Sequence, residues 1–179
     1  MSGSTLRGEG CLLRPYRIDD VDDLVAVADD PLVTRWMTHA FPSPYRRADG
    51  EAWVKRAVLD DPPLHYVIEA GGRFAGAIGL LPQAGEHDGV ALFGYWLGRA
   101  FWGRGLATDA ARTLARHALD ERGFRRLEAS VFAPNVASAR VLEKASFRLE
   151  GRMRAAYVER DGRVCDALLY ARLSRIPEN

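Results

Sequence analysis

The segment with the clearest chemical potential is a glycine-rich turn, GRGLA, at residues 103–107. It follows an apolar run at residues 90–98 that is typical of a strand, and it leads directly into an alanine-rich run predicted as a helix over residues 106–121. Glycines let backbone N–H groups approach a ligand closely, and the start of a helix adds unpaired donors and partial positive charge. The pattern predicts a phosphate site. The alternative is a plain strand-to-helix turn without a ligand, which would need the same glycines.

Two common phosphate loops do not match this turn. A Walker-type loop requires a lysine directly after its last glycine, and this turn contains no lysine. A dinucleotide-binding fingerprint requires a third small residue, where this chain has Thr108, and an acidic residue at the end of the next strand. Glu128 is the nearest acidic candidate, but it falls inside its predicted strand. A nucleotide-binding protein is therefore the weakest of the functional hypotheses.

The other residue types that often perform chemistry are scattered along the chain. The four histidines lack the spacing of metal ligands, so no metal site is predicted; they are His39, His65, His87 and His117. The two cysteines, Cys11 and Cys165, cannot build a disulfide framework and have no adjacent histidine. Reduced thiols and a mechanism without a cysteine nucleophile are therefore expected.

The elements that must position these residues alternate between strand and helix patterns. Strands are predicted at residues 11–17, 64–70, 74–81, 90–98, 126–132, 165–173 and from residue 147 onward. Helices are predicted after residue 20 and at residues 47–59, 106–121 and 135–145, with an irregular aromatic loop at residues 36–45. This order predicts an α/β (α+β) fold, in which helices pack on the faces of a mixed sheet.

Length and composition place the chain among ordinary globular proteins. Its 179 residues fit one domain, and 47% hydrophobic and 27% charged residues argue against wholesale disorder. The net charge is +1, so no overall field attracts nucleic acid or an anionic membrane. No apolar run is long enough to span a bilayer, and residues 1–9 lack a hydrophobic signal core. We therefore predict a flexible leader over residues 1–9, a single domain over residues 10–176 and a cytoplasmic location.

Three long motifs and two short ones follow one another in a characteristic order. The strand GYWL lies at residues 94–97, the turn WGRGLAT at 102–108, and the helix NVASARVLEKASF at 135–147. An early LRP at residues 13–15 and a closing YAR at 170–172 complete the set. In this combination the chain resembles the GNAT family of N-acetyltransferases, specifically its RimJ/RimL-like branch, over nearly its whole length. The resemblance implies a mostly antiparallel twisted sheet flanked by helices.

The resemblance also implies acetyl-CoA as co-substrate and a set of donor-binding residues. The pyrophosphate is expected on the backbone of residues 103–107, and the pantetheine arm beside Trp96 and Leu97, in the manner of an added strand. Arg140 is expected either to meet phosphate or to lie on a solvated helix face. The complete set is Trp96, Leu97, Trp102, Gly103, Arg104, Gly105, Leu106, Ala107, Thr108, Asn135, Ser138 and Arg140.

Two positions depart from the pattern of the family. Leu142 stands where many relatives have the tyrosine that protonates the leaving thiolate, and Ser146 stands where a glycine usually ends the helix at positive φ. The nearest hydroxyl belongs to Ser138, one helical turn earlier on the same face, which makes Ser138 the candidate catalytic acid. Asn135 is expected to orient the thiolate, hold the donor, cap the helix, or combine these roles.

The general base is the least determined role. Glu128, Ser130 and Phe132 share one face of their predicted strand, and Glu128 is the carboxylate on that face. Relatives often place a carboxylate there, so Glu128 is the candidate base. An ordinary ion pair with an arginine, a base acting through water, or no dedicated base fits the sequence equally well.

Acceptor binding is predicted at the aromatic loop and at a late hairpin. Trp36, Tyr45 and Tyr157 are the candidates to wall this site, whereas Phe41 is expected to cover the edge of the core. The predicted function is direct transfer of an acetyl group from acetyl-CoA to a primary amine, either a protein N-terminus or a small molecule, with a homodimer left open. A non-catalytic acyl-CoA-binding or regulatory domain is the alternative, because Leu142 removes the usual acid.

Overall fold

The computed structural model describes residues 5–174. Its strands are β1 (Leu6–Arg7), β2 (Leu12–Pro15), β3 (His65–Ala70), β4 (Arg73–Pro82), β5 (Val90–Leu97), β6 (Arg126–Phe132), β7 (Arg148–Val158) and β8 (Val164–Leu173). Its α-helices are α1 (Val21–Ala28), α2 (Pro31–Thr34), α3 (Arg47–Ala57), α4 (Leu106–Arg116) and α5 (Val136–Lys144), and α4 continues into a π-helix at His117–Glu121. Apart from the short β1 and α2, these bounds agree closely with the elements predicted from local patterning.

All eight strands form one sheet in the order β1-β2-β3-β4-β5-β6-β8-β7. Every neighbouring pair is antiparallel except β5 and β6, which are parallel. A parallel pair requires a crossover connection, and the segment that contains α4 supplies it. The predicted mixed, mostly antiparallel sheet flanked by helices is confirmed.

Helices cover both faces of the sheet and create two hydrophobic cores. On one face α4 packs its alanine-rich stripe against β4 and β5, where Ala110 and Leu114 are fully buried. On the other face α1 packs against α3 and β4 around a second core. Gly50 permits this close approach, because a Cβ at position 50 would lie 2.9 Å from Cγ2 of Val25.

The N-terminal segment, for which the sequence predicted a flexible leader over residues 1–9, joins the sheet at Leu6 and Arg7. β1 pairs with β2, and the Asp109 carboxylate in the first turn of α4 accepts the backbone N–H groups of Glu9, Gly10 and Cys11 at 2.9, 2.8 and 3.0 Å. No local pattern signals this contact, because its acceptor lies about a hundred positions later in the chain. Residues 1–4 and the predicted boundary at residue 176 lie outside the described residues.

The end of α5 has the unusual backbone conformation that the sequence predicted. Ser146 has a φ of 65°, in the left-handed region that favours glycine. Its N–H donates to the Glu143 carbonyl, and the N–H of Phe147 donates to the Leu142 carbonyl, so the helix is closed by backbone hydrogen bonds. Phe147 is buried against Phe93, with ring centroids 5.0 Å apart, and this packing holds the strained serine in place.

The contact made by Asp109 predicts a contribution to stability that depends on pH. Burial alone would raise the pKa of this carboxyl, but the N–H donors of Glu9 and Gly10 hold its pKa below the ordinary value. The carboxylate therefore stabilises the fold above the unfolded-state pKa of about 3.9, and this stabilisation is lost as pH falls through the lower folded-state pKa. Asp109→Asn is expected to lower the free energy of unfolding by about 1–3 kcal/mol at neutral pH, with a smaller deficit in acid.

Urea denaturation at acid and at neutral pH measures this difference. Asp88→Asn is the matched control, because Asp88 is exposed and its substitution is expected to change stability by less than about 0.5 kcal/mol. An Asp109→Asn deficit that is the same in acid as at neutral pH would contradict the prediction.

Candidate active site

The site begins where two neighbouring strands separate. β5 and β6 pair only through residues 90–92 and 126–128. Beyond these residues a cleft of about 630 Å³ opens, lined by residues 93–97 on one side and 129–132 on the other. The edge of β5 that faces this cleft has backbone N–H and C=O groups free to pair with an extended ligand. We call this space the interstrand cleft.

The predicted phosphate turn lines the interstrand cleft. Gly103 and Gly105 have φ values of 73° and 76°, and a Cβ at either position would meet nothing within 4 Å. Gly105 is the N-cap of α4, and no acceptor within the described part of the chain takes a hydrogen bond from the N–H groups of residues 103–108. These donors and the positive end of the α4 dipole form an anion site that fits a pyrophosphate group.

Most of the predicted donor-binding residues line the interstrand cleft. They are Trp96, Leu97, Trp102, Gly103, Gly105, Leu106, Ala107, Thr108, Asn135, Ser138 and Arg140. The side chain of Arg104 is not on the cleft wall, because its guanidinium lies over the Phe101 ring, 5.9 Å from the centroid. The Trp102 indole Nε1 donates to the Leu97 carbonyl at 2.8 Å, and this bond ties the turn to the end of β5.

Two hydroxyl groups meet on the cleft wall where α5 begins. Ser138 Oγ lies 2.8 Å from the Tyr95 hydroxyl, which also donates to the Ser138 carbonyl oxygen at 3.0 Å. Asn135 Oδ1 accepts the backbone N–H of Ser138 at 3.2 Å, so Asn135 caps α5. Burial raises the pKa of Tyr95 to about 12, so the phenol stays protonated at neutral pH.

Tyr95 is a cleft residue that the sequence reasoning missed. It belongs to the GYWL motif, and strand alternation places it on the opposite face of β5 from Trp96, toward α5. That alternation was the signal that could have found it. Leu142, at the family's usual tyrosine position, is fully buried in the core and does not line the cleft. A hydroxyl from β5 therefore reaches Ser138 from the other side of the cleft.

The predicted general base, Glu128, does not line the interstrand cleft. Its Oε1 accepts from Nε of Arg126 at 2.6 Å, and Arg126 also binds Glu150. Its register opposite Leu92 places Glu128 where β5 and β6 are still paired, before the cleft opens. Among the alternatives that the sequence left open, the structure favours the ion pair with an arginine.

Two of the predicted acceptor residues lie in the interstrand cleft. Trp36 and Tyr157 line it, and both pack against Phe132, with ring centroids 5.9 and 4.7 Å away. The aromatic loop and the late hairpin therefore meet at the end of β6. Both residues therefore line the same cleft as the predicted donor-binding residues.

The third predicted acceptor residue, Tyr45, lines a different cavity. This cavity has a volume of about 710 Å³ and lies between α3 and the face of β4 and β5 that is opposite α4. Phe41 lines it as well, so it does more than cover the edge of the core. We call this cavity the aromatic chamber. It shares Met37, Thr38 and residues 93–96 with the interstrand cleft, so the two cavities meet at β5.

The hairpin between β7 and β8 holds the loop that walls both cavities. Arg160 Nε donates to the Thr34 carbonyl at 2.8 Å, and its Nη2 donates to the Thr38 and Phe41 carbonyls at 3.0 and 2.5 Å. Backbone carbonyls in an irregular loop need partners, and a guanidinium supplies several donors in a fixed geometry. Arg160 is therefore a positioning residue for the loop.

Three further observations concern metals, membranes and thiols. Within residues 5–174 no cluster of three or more potential metal ligands occurs, and none of the helices there has the length and apolar character needed to cross a membrane. Cys11 is buried, and burial together with the hydrogen bond to Asp109 raises the pKa of its thiol to about 12. Its thiolate is therefore not populated at neutral pH.

The free strand edge can pair with an extended arm such as pantetheine. The neighbouring anion site can hold a pyrophosphate group. Together they suit the two portions of a coenzyme A thioester. The fold and site thus define a protein suited to bind a coenzyme A thioester. The acetyltransferase (GNAT) domain model matches residues 11–148. A Bacillus licheniformis protein, the uncharacterized N-acetyltransferase p20, is 28% identical over 174 residues, covering 96% of this chain and 97% of that protein. The chain belongs to the GNAT acetyltransferase family.

Solved structures of RimJ and RimL share this fold. Mycobacterium smegmatis RimJ in complex with CoA-disulfide matches with a TM-score of 0.78 and 28% identity, covering 98% of this chain and 89% of RimJ. RimL, a ribosomal L7/L12 alpha-N-protein acetyltransferase in complex with coenzyme A, matches with a TM-score of 0.81 and 21% identity, covering 96% and 98%. The RimJ/RimL-like resemblance drawn from the motifs is confirmed.

Gly105→Asp is expected to abolish CoA binding while the fold is kept. The substitution adds a side chain and a negative charge where the N–H donors of the turn face the pyrophosphate. The Kd for CoA, measured by isothermal titration calorimetry, is expected to rise by about 100-fold or more.

Gly123→Asp is the matched control for the turn. Gly123 has a φ of 75° and open space around its Cα, but it lines neither cavity. Both variants are expected to lose about 1–2 kcal/mol of stability from the left-handed backbone, and only Gly105→Asp is expected to lose CoA binding. Equal CoA affinity in the two variants would remove the turn from the donor site.

Arg160→Ala is expected to raise the KM for the acceptor amine by about 10-fold, because the loop that walls both cavities loses its donors. The Kd for CoA is expected to change by no more than about threefold, because the phosphate turn is untouched. Arg163→Ala is the control, since within residues 5–174 the Arg163 side chain binds only Glu159 and Asp161, on the same hairpin. A parallel loss of CoA affinity in Arg160→Ala would show a general loss of structure instead.

Proposed function

We propose that this protein transfers an acetyl group from acetyl-CoA directly to a primary amine, on a protein N-terminus or a small molecule. The observation that carries the proposal is the interstrand cleft. Its wall bears both the N–H donors of residues 103–108 and the hydroxyl pair of Ser138 and Tyr95. The donors suit the pyrophosphate of the donor molecule, and the hydroxyl pair suits its thiol end.

Backbone groups and a few side chains would hold the donor. The N–H groups of residues 103–108 bind the pyrophosphate, and the Thr108 hydroxyl and the Arg140 guanidinium add contacts from the cleft wall. The free edge of β5 beside Trp96 pairs with the amides of the pantetheine arm. The hydrogen bond from Trp102 to Leu97 keeps the turn and the strand edge in a fixed relation.

Acetyl transfer forms one bond and breaks one. The neutral amine nitrogen bonds to the acetyl carbonyl carbon, and the carbon–sulfur bond breaks with its electron pair moving to sulfur. The nitrogen loses a proton and the sulfur gains one. Backbone N–H groups on the free edge of β5 polarise the carbonyl and stabilise the negative charge that develops on its oxygen. What this chain must supply, besides binding, is a proton for sulfur.

Ser138 is the proposed proton donor for the leaving thiolate, and the Tyr95 hydroxyl is hydrogen-bonded to Ser138. The Tyr95 hydroxyl lies 2.8 Å from Ser138 Oγ, so its O–H, turned from the Ser138 carbonyl toward Oγ, can replace the proton that Ser138 gives to sulfur, and water then restores the Tyr95 proton. Asn135 supports this arrangement because its cap bond to the Ser138 N–H positions the serine at the start of α5. The hydroxyl pair thus takes over the role of the tyrosine that Leu142 replaces.

Water is the proposed acceptor of the amine proton. Arg126 holds the Glu128 carboxylate in an ion pair, which disfavours its role as general base. The amine must lose its proton before attack, and an acceptor with a modest pKa needs no dedicated base for this step. The pH dependence of kcat/KM then follows the pKa of the acceptor amine.

Release of the CoA thiol with a panel of primary amines tests the proposed function. The proposed enzyme releases CoA only when an amine is present and forms the acetylated amine. A non-catalytic acyl-CoA-binding domain would show a higher Tm with acetyl-CoA and no release that depends on an amine. A nucleotide-binding protein would show a higher Tm with ATP and not with acetyl-CoA. Amine-dependent release therefore separates the enzyme from both alternatives.

Ser138→Ala is expected to lower kcat by about 100-fold and to change the KM for acetyl-CoA by less than about threefold, because a proton donor acts in the transition state. Tyr95→Phe is expected to lower kcat less. The double variant is expected to lose no more than Ser138→Ala alone, because the two hydroxyls act in sequence.

Steady-state kinetics at saturating acceptor measures these effects. Ser130→Ala is the control, because Ser130 is exposed on the β6 wall of the same cleft and takes no part in the hydrogen bonds between Ser138 and Tyr95. Wild-type kcat in Ser138→Ala at saturating acetyl-CoA would assign the proton to solvent. Additive losses in the double variant would separate Tyr95 from Ser138.

A further inference from the structure

We propose that the acceptor is a small monoamine with an aromatic or bulky apolar body, and that the aromatic chamber receives this body. The inference rests on the proposed acetyl transfer and adds the class of substrate. It is carried by the walls of the chamber, by its floor, by its charges and by its connection to the interstrand cleft.

Aromatic rings form the walls of the chamber. The Phe41 ring lies 4.9 Å from Tyr45 and 5.6 Å from Trp96 between centroids, in tilted and edge-to-face arrangements. Trp53 of α3 closes another side, with its ring 5.0 Å from that of His65. Tilted and edge contacts of this kind favour a further aromatic ring beyond the gain from buried area alone. The walls are therefore suited to an apolar or aromatic ligand.

The floor of the chamber is apolar and open. Leu81 and Leu92 form a cross-strand pair on β4 and β5, and they remain 48% and 42% exposed. Gly79 and Gly94 form another cross-strand pair on the same floor, and a Cβ at Gly94 would meet nothing within 4 Å. Large apolar side chains exposed inside a concave site indicate an apolar ligand. Gly94 leaves room for the ligand's body above the strands, whereas the space above Gly79 holds the His65 ring, 2.5 Å from where a Cβ would lie.

Charged groups are sparse around the chamber. Among its lining residues only Asp49 and Arg56 are fully charged, and His65 is hydrogen-bonded to Asp60. Asp49 also accepts the Arg46 N–H at 2.8 Å as a cap of α3. A polyamine needs several carboxylates, and an acidic peptide needs several cations, because a buried charge without a partner is costly. A ligand with one amine and an uncharged body fits these lining residues best.

The size and the connection of the chamber agree with a small acceptor. Its volume of about 710 Å³ lies within the range of about 300–1,000 Å³ that is typical of small-molecule sites. Met37, Thr38 and residues 93–96 line both the chamber and the interstrand cleft. A body seated in the chamber can therefore direct its amine across β5 toward the thioester end of the cleft.

Acetylation kinetics with four probes tests this substrate class. The probes are 2-phenylethylamine, propylamine, spermidine and a peptide with an N-terminal serine. Both 2-phenylethylamine and propylamine are primary alkylamines, but the phenyl group lowers the pKa of the amine, so kcat/KM is expressed per neutral amine; the difference that remains reports binding of the phenyl group. We expect kcat/KM for 2-phenylethylamine to exceed that for propylamine by about 10- to 100-fold, the range that burial of a ring supports.

A substitution that fills the chamber links this preference to the site. Ala52 is exposed on α3 and lines the chamber, so Ala52→Trp is expected to reduce the preference for 2-phenylethylamine to less than about threefold. The KM for acetyl-CoA is expected to stay unchanged, because Ala52 does not line the interstrand cleft. Ala48→Trp is the matched control, since Ala48 is exposed one turn earlier on α3 and lines neither cavity.

Binding of the same amine keeps the two proposals distinguishable. If no amine is acetylated, but 2-phenylethylamine raises the Tm of the wild-type CoA complex and not that of Ala52→Trp, the proposed function fails and the chamber assignment stands. Equal kcat/KM for 2-phenylethylamine and propylamine overturns the chamber assignment. Faster acetylation of the peptide or of spermidine overturns it as well, as does an unchanged preference in Ala52→Trp. Loss of both turnover and the Tm shift overturns both proposals.

Discussion

The early end of the pairing between β5 and β6 is the constraint on which the site depends. Parallel strands normally satisfy each other's backbone groups along their length, but here the pairing stops at Leu92 and Glu128. Packing holds the strands apart beyond that point. Tyr95 reaches across to Ser138 on α5, and Phe132 lies against aromatic rings from the loop and the hairpin. A free strand edge is thus built into the middle of the sheet, where a donor can pair with it.

The two faces of β5 contribute to two cavities. Because successive side chains of a strand point to opposite faces, Tyr95 faces α5 and Trp96 faces the aromatic chamber. The strand therefore contributes to the walls of both cavities. Arg160 completes the arrangement from the other end of the chain, because its guanidinium holds the loop that walls both cavities.

Anion recognition at this site is local, because a net charge of +1 gives the chain no long-range attraction for a polyanion. The first turn of α4 contains a carboxylate, Asp109, that would compete with a phosphate for the unpaired N–H groups. Asp109 instead accepts hydrogen bonds from the N-terminal segment at Glu9, Gly10 and Cys11. The same contact that orders this segment therefore leaves the donors of residues 103–108 to the ligand.

Features that depend on near neighbours in the chain could be predicted from the amino-acid sequence. The glycine turn at residues 103–107, the cap at Asn135 and the left-handed conformation of Ser146 are of this kind, and the motif order was enough to identify the family. The partner of Tyr95 and the carbonyls held by Arg160 were decided by tertiary structure alone, because these contacts join residues 43 and more than 100 positions apart. A local pattern sets an element and the face it presents, and only packing decides which distant side chain meets that face.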